Sequence, residues 1–358
     1  MRKFRTIRVL IVDDSALMRK YITEILTEDP EIEVVGCARD GQEAVRLAGE
    51  LEPDVITMDI NMPRMDGLTA LQYIMNTRPV PVIVLSSLAK KGELVTFEAL
   101  ELGAVDCIEK PGGTVSVGIA KIGQEIRMKV KAAASANTRA AARTLRRNEQ
   151  PQKNHAVPLP TLARSSKKLI VIGVSTGGPK TLVEILPGLP PDLPAAVLVV
   201  QHMPGSFTRA FANRLNNICR MRVMEAVDGQ AIEAGQILVA PGDYHLKVER
   251  RLGTETLRVR LSSEPSDALY RPSVAIAMES ALRAAGGQKL VAVLLTGMGD
   301  DGAQAMVNIK QAGGTTIAEA EETAVVWGMP REAIMRGGAG IVAPSYRIAG
   351  EITRAVQG

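Results

Sequence analysis

Ser175 closes the apolar run Leu169-Ile-Val-Ile-Gly-Val174 and is followed by Thr176-Gly-Gly-Pro179, the pattern of a strand that turns sharply into a helix. A serine hydroxyl attacks a carbonyl usefully only where such a turn lifts it clear of the sheet. Gly173, Gly177 and Gly178 lack the Cβ that would clash there. The hydroxyl also needs a general base at neutral pH. His202 ends a second apolar run, Ala196-Val-Leu-Val-Val-Gln-His202, and a third, Leu290-Val-Ala-Val-Leu-Leu-Thr296, leads into Gly297-Met-Gly-Asp-Asp-Gly302. A serine, a histidine and an acid each follow a strand, which is what an acyl-transfer relay demands. Spacing alone leaves Asp300 and Asp301 both open as the acid, and either one could instead cap the helix that starts near Gly302. Of the remaining histidines, His155 lies in a polar stretch, and His245, in Ala240-Pro-Gly-Asp-Tyr-His245, reads as structural.

A second constellation sits in the N-terminal third. Asp13 and Asp14 close the run Ile7–Val12, Asp59 closes Val55–Met58, Ser86 ends Val80–Leu85, and Lys110-Pro111 follows Ala104–Ile108. A parallel sheet carries all of these groups to one end. Three crowded carboxylates repel one another unless a hard divalent cation sits among them, and the octahedral oxygen demand of Mg²⁺ suits such a cluster. Ser86 is preferred to its neighbour Ser87 for its place at the strand end.

The elements needed to position these groups follow from the hydrophobic period. In residues 7–125 five short apolar runs alternate with helical patterns, Ala16–Leu26, Gly41–Leu51, Leu68–Asn76, Gly92–Leu102 and one from about Val117, which predicts a doubly wound parallel sheet. The alternation resumes at Leu169, with strands expected near 196–201, 237–240, 290–295 and 315–318 and helices near 179–187, 205–215, 272–285 and 302–312. Tyr244–Val248 and Leu257–Leu261 read as an inserted antiparallel hairpin. Both halves are therefore α/β, the first flavodoxin-like and the second Rossmann-like. The expected division is a first domain at 1–125, a basic flexible linker at 126–166 and a catalytic domain at 167–358, with active groups at the carboxyl ends of strands.

Charge separates these segments. Residues 1–123 hold 14 basic and 19 acidic residues, 124–168 hold 11 and 2, and 169–358 hold 18 and 18, so the chain's net +4 originates in the linker. That stretch lacks aromatic residues and no nucleic-acid-binding motif accompanies it, which argues against a nucleic-acid partner. No apolar run approaches the roughly 18 residues of a membrane helix, and the basic N-terminus is not followed by a signal-peptide core, so no membrane insertion and a cytoplasmic location are expected. The three cysteines, Cys37, Cys107 and Cys219, have no metal-ligand spacing and read as reduced structural thiols. A dinucleotide-binding loop at Gly173–Gly178 is disfavoured, because position 175 is serine and the second strand ends in Gln201-His202 instead of a ribose-binding acid. A purely signalling protein with an inert second half would tolerate loss of Ser175.

Val12-Asp-Asp-Ser-Ala-Leu-Met-Arg19 and Met58-Asp-Ile-Asn-Met-Pro-Arg-Met-Asp-Gly67 resemble the receiver domain of response regulators over residues 6 to about 125. The resemblance implies that Asp59 accepts a phosphoryl group from a histidine kinase. It implies that Asp13 and Asp14 bind Mg²⁺ with the backbone carbonyl of Asn61, that Ser86 hydrogen-bonds the phosphoryl group, and that Lys110 pairs with its oxygens. The order receiver, basic linker, α/β domain resembles the chemotaxis protein-glutamate methylesterases. The matching segments are Gly173-Val-Ser-Thr-Gly-Gly178, Gln201-His-Met-Pro-Gly-Ser-Phe-Thr208, Ala240-Pro-Gly-Asp-Tyr-His-Leu246, Tyr270-Arg-Pro-Ser-Val274, Thr296-Gly-Met-Gly-Asp-Asp-Gly302 and Gly328-Met-Pro-Arg-Glu-Ala333. That resemblance places the acid at Asp301 and implies hydrolysis of glutamate γ-methyl esters on chemoreceptors, with deamidation of selected glutamines. Ser175 would be the nucleophile and His202 the base, and no cofactor is expected in the second domain. The backbone N–H groups of Thr176 and Met298 are the expected oxyanion donors. It also implies that the unphosphorylated receiver obstructs the hydrolase and that phosphorylation relieves the block.

Overall fold

Hydrophobic runs of strand length, separated by amphipathic helices, can be buried on both faces only in a parallel sheet wrapped by helices. The computed structural model describes residues 6–86, 90–110, 119–136, 168–251 and 253–357. They form two compact units, divided between Gln150 and Pro151.

In the first unit, β1 (Ile7–Val12), β2 (Ile32–Ala38), β3 (Val55–Asp59), β4 (Val82–Ser86) and β5 (Asp106–Glu109) are parallel, in the order β2-β1-β3-β4-β5. This is the flavodoxin-like order, with its switch point between β1 and β3. The interleaved helices are α1 (Ala16–Thr27), α2 (Gly41–Leu51), α3 (Gly67–Thr77), α4 (Lys90–Glu101) and α5 (Ile119–Ala134). Ser15, Asp40 and Asp66 cap the first three through side-chain oxygens.

The start at Val117 expected for the last helix lies outside the described residues. Because Ile126, Val130, Ala132 and Ala133 are buried, α5 carries the chain past residue 125 to Ala134. Three cations of the basic segment are thereby engaged with this unit: Arg127 with Glu28, Lys129 with Asp106 and Glu125, and Lys131 with Asp29 and Glu31. The remainder of the expected linker, residues 137–166, lies outside the described residues.

The second unit has a seven-stranded parallel sheet in the order β14-β13-β12-β6-β7-β9-β8. Its strands are β6 (Lys168–Val174), β7 (Ala195–Gln201), β8 (Arg222–Glu225), β9 (Gln236–Val239), β12 (Leu290–Leu294), β13 (Thr315–Glu319) and β14 (Ile341–Ala343). The hairpin β10 (His245–Arg250) and β11 (Leu257–Ser262) is antiparallel and forms its own sheet. Helices α6 (Gly178–Ile185), α7 (Gly205–Ile218), α8 (Val274–Ala285), α9 (Ala303–Gln311), α10 (Met329–Met335) and α11 (Ser345–Gln357) complete the unit.

The four expected strands and the hairpin are present, and β8, β14, α10 and α11 are added. The first half of the sheet is laid outward from β6 through β7, and the chain then returns to build the other half from β12. The carboxyl ends of β12, β6 and β7, three neighbouring strands, therefore open at the switch point. Among the described residues no helix is long and apolar enough to cross a membrane.

Candidate active site

Ser175 is the first residue after β6, and its environment is built almost entirely from backbone. Its N–H donates to the Thr296 carbonyl at 2.9 Å, and its own carbonyl accepts from Gly178 N–H at 2.8 Å and from Gln201 Nε2 at 3.0 Å. The same Gln201 amide donates to the His202 carbonyl at 3.0 Å, so one buried side chain ties the ends of β6 and β7 together. Gly177, at φ +79°, makes the turn into α6 in a region that L-residues rarely adopt. Gly297 lets two loops meet, because a Cβ there would lie 2.7 Å from the Ser175 Cβ.

Ser175 Oγ lies 3.1 Å from His202 Nδ1, and His202 Nε2 lies 2.9 Å from Asp301 Oδ2. The His202 and Asp301 side chains are each 8% exposed. Burial pushes the Asp301 carboxyl upward, but His202 and the N–H groups of Ala275 and Val274 outweigh it and hold the carboxyl below its ordinary range. An ionised carboxylate only accepts, so Nε2 must carry the ring proton and Nδ1 must present its lone pair to Ser175. This is the tautomer that a general base needs.

Asp301 is oriented by the amino end of α8. Its Oδ2 accepts Val274 N–H at 2.7 Å, and its Oδ1 accepts Ala275 N–H at 2.9 Å and the Ser273 hydroxyl at 3.0 Å. Unpaired N–H groups and the positive helix end make this a site for a fixed negative charge. Asp300 points elsewhere, to an exposed pair with Arg336. Spacing could not separate the two acids, whereas the structure brings only Asp301 to His202.

The Tyr270 ring is stacked on His202, with centroids 4.2 Å apart and planes 9° apart. His245 is fully buried, its Nδ1 accepting Ser273 N–H at 3.2 Å and its Nε2–H donating to the Pro265 carbonyl at 3.1 Å. Burial lowers its pKa and keeps it neutral, in keeping with the structural reading of this residue. Thr176 follows Ser175 directly, and Met298 follows Gly297, whose Cβ position abuts the Ser175 side chain; among the described residues neither backbone N–H has a protein acceptor. Tyr270, Ser273 and Gln201 escaped the sequence reading as site residues. All three stand in motif segments quoted above, but nothing local shows that Tyr270 faces His202.

In the first unit, one carboxylate oxygen from each of Asp13, Asp14 and Asp59 lies within 4.8 Å of the others. Lys110 Nζ reaches Asp13 Oδ2 at 2.7 Å and Asp59 Oδ2 at 2.8 Å. The first contact is an ion pair without hydrogen-bond alignment, since Asp13 Oδ2 has no aligned donor. Asp59 Oδ1 accepts from Ile60 N–H at 2.8 Å and Asn61 N–H at 3.4 Å. Burial pushes the Asp59 carboxyl up and Asp13 adds to this, with Lys110 opposing. Crowded, mutually repelling carboxylates of this kind, two buried and Asp14 exposed, fit a hard divalent cation. Ser86 is buried at the end of β4 and its Oγ accepts from the Thr96 hydroxyl at 2.8 Å, a partner the sequence did not indicate. Ser87 lies outside the described residues.

Comparison with known proteins agrees in both halves. The family model described as CheB methylesterase matches residues 170–352, and that of the response regulator receiver domain matches residues 9–117. The chain belongs to the CheB methylesterase family. Within it, a Carboxydothermus hydrogenoformans protein named protein-glutamate methylesterase/protein-glutamine glutaminase 2 is 59% identical over 356 residues, covering 98% of this chain and 99% of that one. A protein-glutamate methylesterase/protein-glutamine glutaminase of Caldanaerobacter subterraneus is 53% identical over 348 residues, with 96% and 95% covered. Among solved structures, the Thermotoga maritima CheB methylesterase catalytic domain matches with TM-score 0.51 and 41% identity, over 53% of this chain and 100% of that one. The Ser175–His202–Asp301 geometry thus falls inside the segment that carries the family match.

Proposed function

We propose that this chain is a phosphorylation-regulated serine hydrolase that converts glutamyl γ-methyl esters of chemoreceptors to glutamate, releasing methanol, and that deamidates receptor glutamines by the same route. The observation that carries this reading is the relay from Ser175 Oγ through both nitrogens of His202 to Asp301, at 3.1 and 2.9 Å. Ser175 Oγ attacks the ester carbonyl as Nδ1 takes its proton. The new oxyanion accepts the N–H groups of Thr176 and Met298, which are donors fixed by backbone and not by rotatable side chains. Asp301, held by α8, stabilises the imidazolium, which then protonates the departing methoxide. Water, deprotonated by the same nitrogen, cleaves the acyl-enzyme and restores the serine. With a glutamine substrate the leaving group is ammonia.

The receiver supplies control. Asp59 is the acceptor of a phosphoryl group from the chemotaxis histidine kinase, Lys110 pairs with its oxygens, and the Ser86 hydroxyl turns towards it. Asp13, Asp14, Asp59 and the Asn61 carbonyl would hold Mg²⁺, which neutralises charge on the transferred group when bound. All of this takes place in the cytoplasm, where kinase and receptor signalling ends meet.

The test is methanol release from methylated receptor membranes by the intact chain and by Ser175→Ala, with and without a small phosphodonor. Release by the intact chain alone, increased by phosphodonor, is the expected result. Equal release by Ser175→Ala removes the nucleophile assignment, and no release by the intact chain in either condition removes the enzyme.

A further inference from the structure

Glu319 closes β13 with no solvent exposure, next to the strand that leads to Gly297–Gly302. Its Oε2 accepts the N–H of Thr296 at 2.8 Å and its Oε1 accepts the hydroxyl of Thr323 at 3.0 Å. Thr296 reaches both residues of the nucleophile turn. Its carbonyl accepts the N–H of Ser175 at 2.9 Å, and its hydroxyl donates to the carbonyl of Thr176 at 2.8 Å while accepting Val326 N–H at 2.9 Å. Glu319 therefore fixes the Leu295–Thr296 peptide, one unit before the Thr296 carbonyl that accepts Ser175 N–H, and so anchors the residue whose hydroxyl also holds the Thr176 carbonyl.

Among the described residues no cation pairs with Glu319. The charged group acting on it from the neighbouring helix α6 is Glu184, itself tied to the Ser345 hydroxyl. Burial is the largest influence and, with Glu184, pushes the carboxyl up to about 7 against the pull of Thr296 and Thr323. A buried, uncompensated carboxyl is expensive, and an apolar residue in its place would orphan the Thr296 N–H.

We propose that Glu319 is a positioning residue for the hydrolase: through Thr296 it sets the attack geometry of Ser175 and the aim of the Thr176 N–H. The inference rests on the reading of Ser175 as nucleophile. With no solvent exposure it cannot touch substrate, so it acts on turnover and not on binding.

The experiment compares the full-length chain with Glu319→Gln and Glu319→Ala in methanol release from methylated receptor membranes, resolving kcat and KM from about pH 6 to pH 8. Thermal melts and the rate of labelling by a fluorophosphonate accompany each variant. Glutamine keeps both bonds, its carbonyl accepting from Thr296 and its amide donating to Thr323, but cannot ionise. Glu319→Gln is expected to hold kcat within about twofold at pH 6 and, because it cannot ionise, to depart from the parent's pH dependence between pH 6 and pH 8.

Glu319→Ala is expected to melt cooperatively yet lose about tenfold or more in kcat and in labelling rate, with KM nearly unchanged. Parental kcat and labelling in a folded Glu319→Ala would overturn the proposal. Should Glu319→Ala fail to fold, a Glu319→Gln pH profile superimposable on the parent's would overturn it instead. Ser175→Ala in the same assay separates the two readings: activity there defeats the nucleophile assignment, whereas a dead Ser175→Ala beside a fully active Glu319→Ala defeats only the role of Glu319.

Discussion

Tyr270 lies flat against His202, ring centroids 4.2 Å apart at an interplanar angle of 9°. The stack covers one face of the imidazole and leaves its two nitrogens aligned with Ser175 and Asp301. Aromatic stacking of this kind contributes about 0.5–1.5 kcal/mol, and the ring gains more when its partner becomes a cation, as the base role proposed for His202 requires in the transition state. Tyr270→Phe should retain nearly full activity, and Tyr270→Ala should lose about tenfold in kcat/KM. Methanol-release kinetics check this. A Tyr270→Phe variant as impaired as Tyr270→Ala would shift the role from the ring to the hydroxyl.

Asp301→Asn tests the tautomer. The amide can place its NH₂ towards His202 Nε2, which then accepts, leaving Nδ1 protonated and pointing its hydrogen at Ser175. With the base capped, kcat should fall by about 10³–10⁴-fold, while the amide oxygen keeps the bonds from Ala275 N–H and the Ser273 hydroxyl that hold it to α8 and gives up only that from Val274 N–H. Circular dichroism and single-turnover kinetics with an activated ester separate the two effects. Loss of no more than tenfold would mean that Asp301 is not the orienting acid.

The raised Asp59 carboxyl has a consequence for cation binding. Protons and a divalent cation compete for it, so Mg²⁺ affinity should weaken as pH falls through a value above the 3.8 of an ordinary aspartate. Calorimetric Mg²⁺ titrations at successively lower pH check the sign, and an affinity that holds constant down to the usual carboxylate range would contradict the crowding seen around Asp13 and Lys110. Asp59→Asn should abolish activation by a small phosphodonor.

A chain beginning at Lys167 should show higher basal esterase activity than the full chain. Regulation by phosphorylation requires that the receiver favour a less active state, and each tenfold shift in that balance takes about 1.4 kcal/mol. The isolated catalytic domain of the Thermotoga maritima protein, matched here over its whole length, shows that such a domain can stand alone. A truncated chain no more active than the full one would rule out restraint by the receiver.

Much of this site was legible because catalytic groups on a parallel sheet sit where apolar runs stop: Ser175, His202, Asp59 and Lys110 each announce a strand end. The choice between Asp300 and Asp301 was not readable from spacing, since it depends on Arg336, some 36 positions away, and on the N–H groups of α8. Tyr270 and Glu319 were missed for the same reason, their roles being set by contacts across the sheet. Strands β8 and β14 escaped because neither forms a buried apolar run: only Val223 and Ala343 in them are buried. The extent of α5 was obscured by charge: Lys129 and Lys131 look like linker cations until their partners Asp106 and Asp29 are seen.

Glu319 also makes a stability prediction whose sign can be worked out. Its carboxyl titrates near 4.5 in an unfolded chain and at about 7 in the folded one. Well below pH 4.5 both states hold the proton and the residue is neutral to folding. As pH rises from 4.5 to 7 the unfolded chain ionises first, so the folded state loses ground, and above 7 the loss levels off at something on the order of 3 kcal/mol. Glu319→Gln removes that loss without removing the bonds to Thr296 and Thr323. Its second-unit melting temperature should therefore lie close to the parent's near pH 4.5 and exceed it at pH 8. A variant that is equally or less stable at both pH values would show that the buried carboxyl is compensated by a group the geometry does not reveal, and the expected departure of Glu319→Gln from the parent's pH dependence of turnover would lose its source as well.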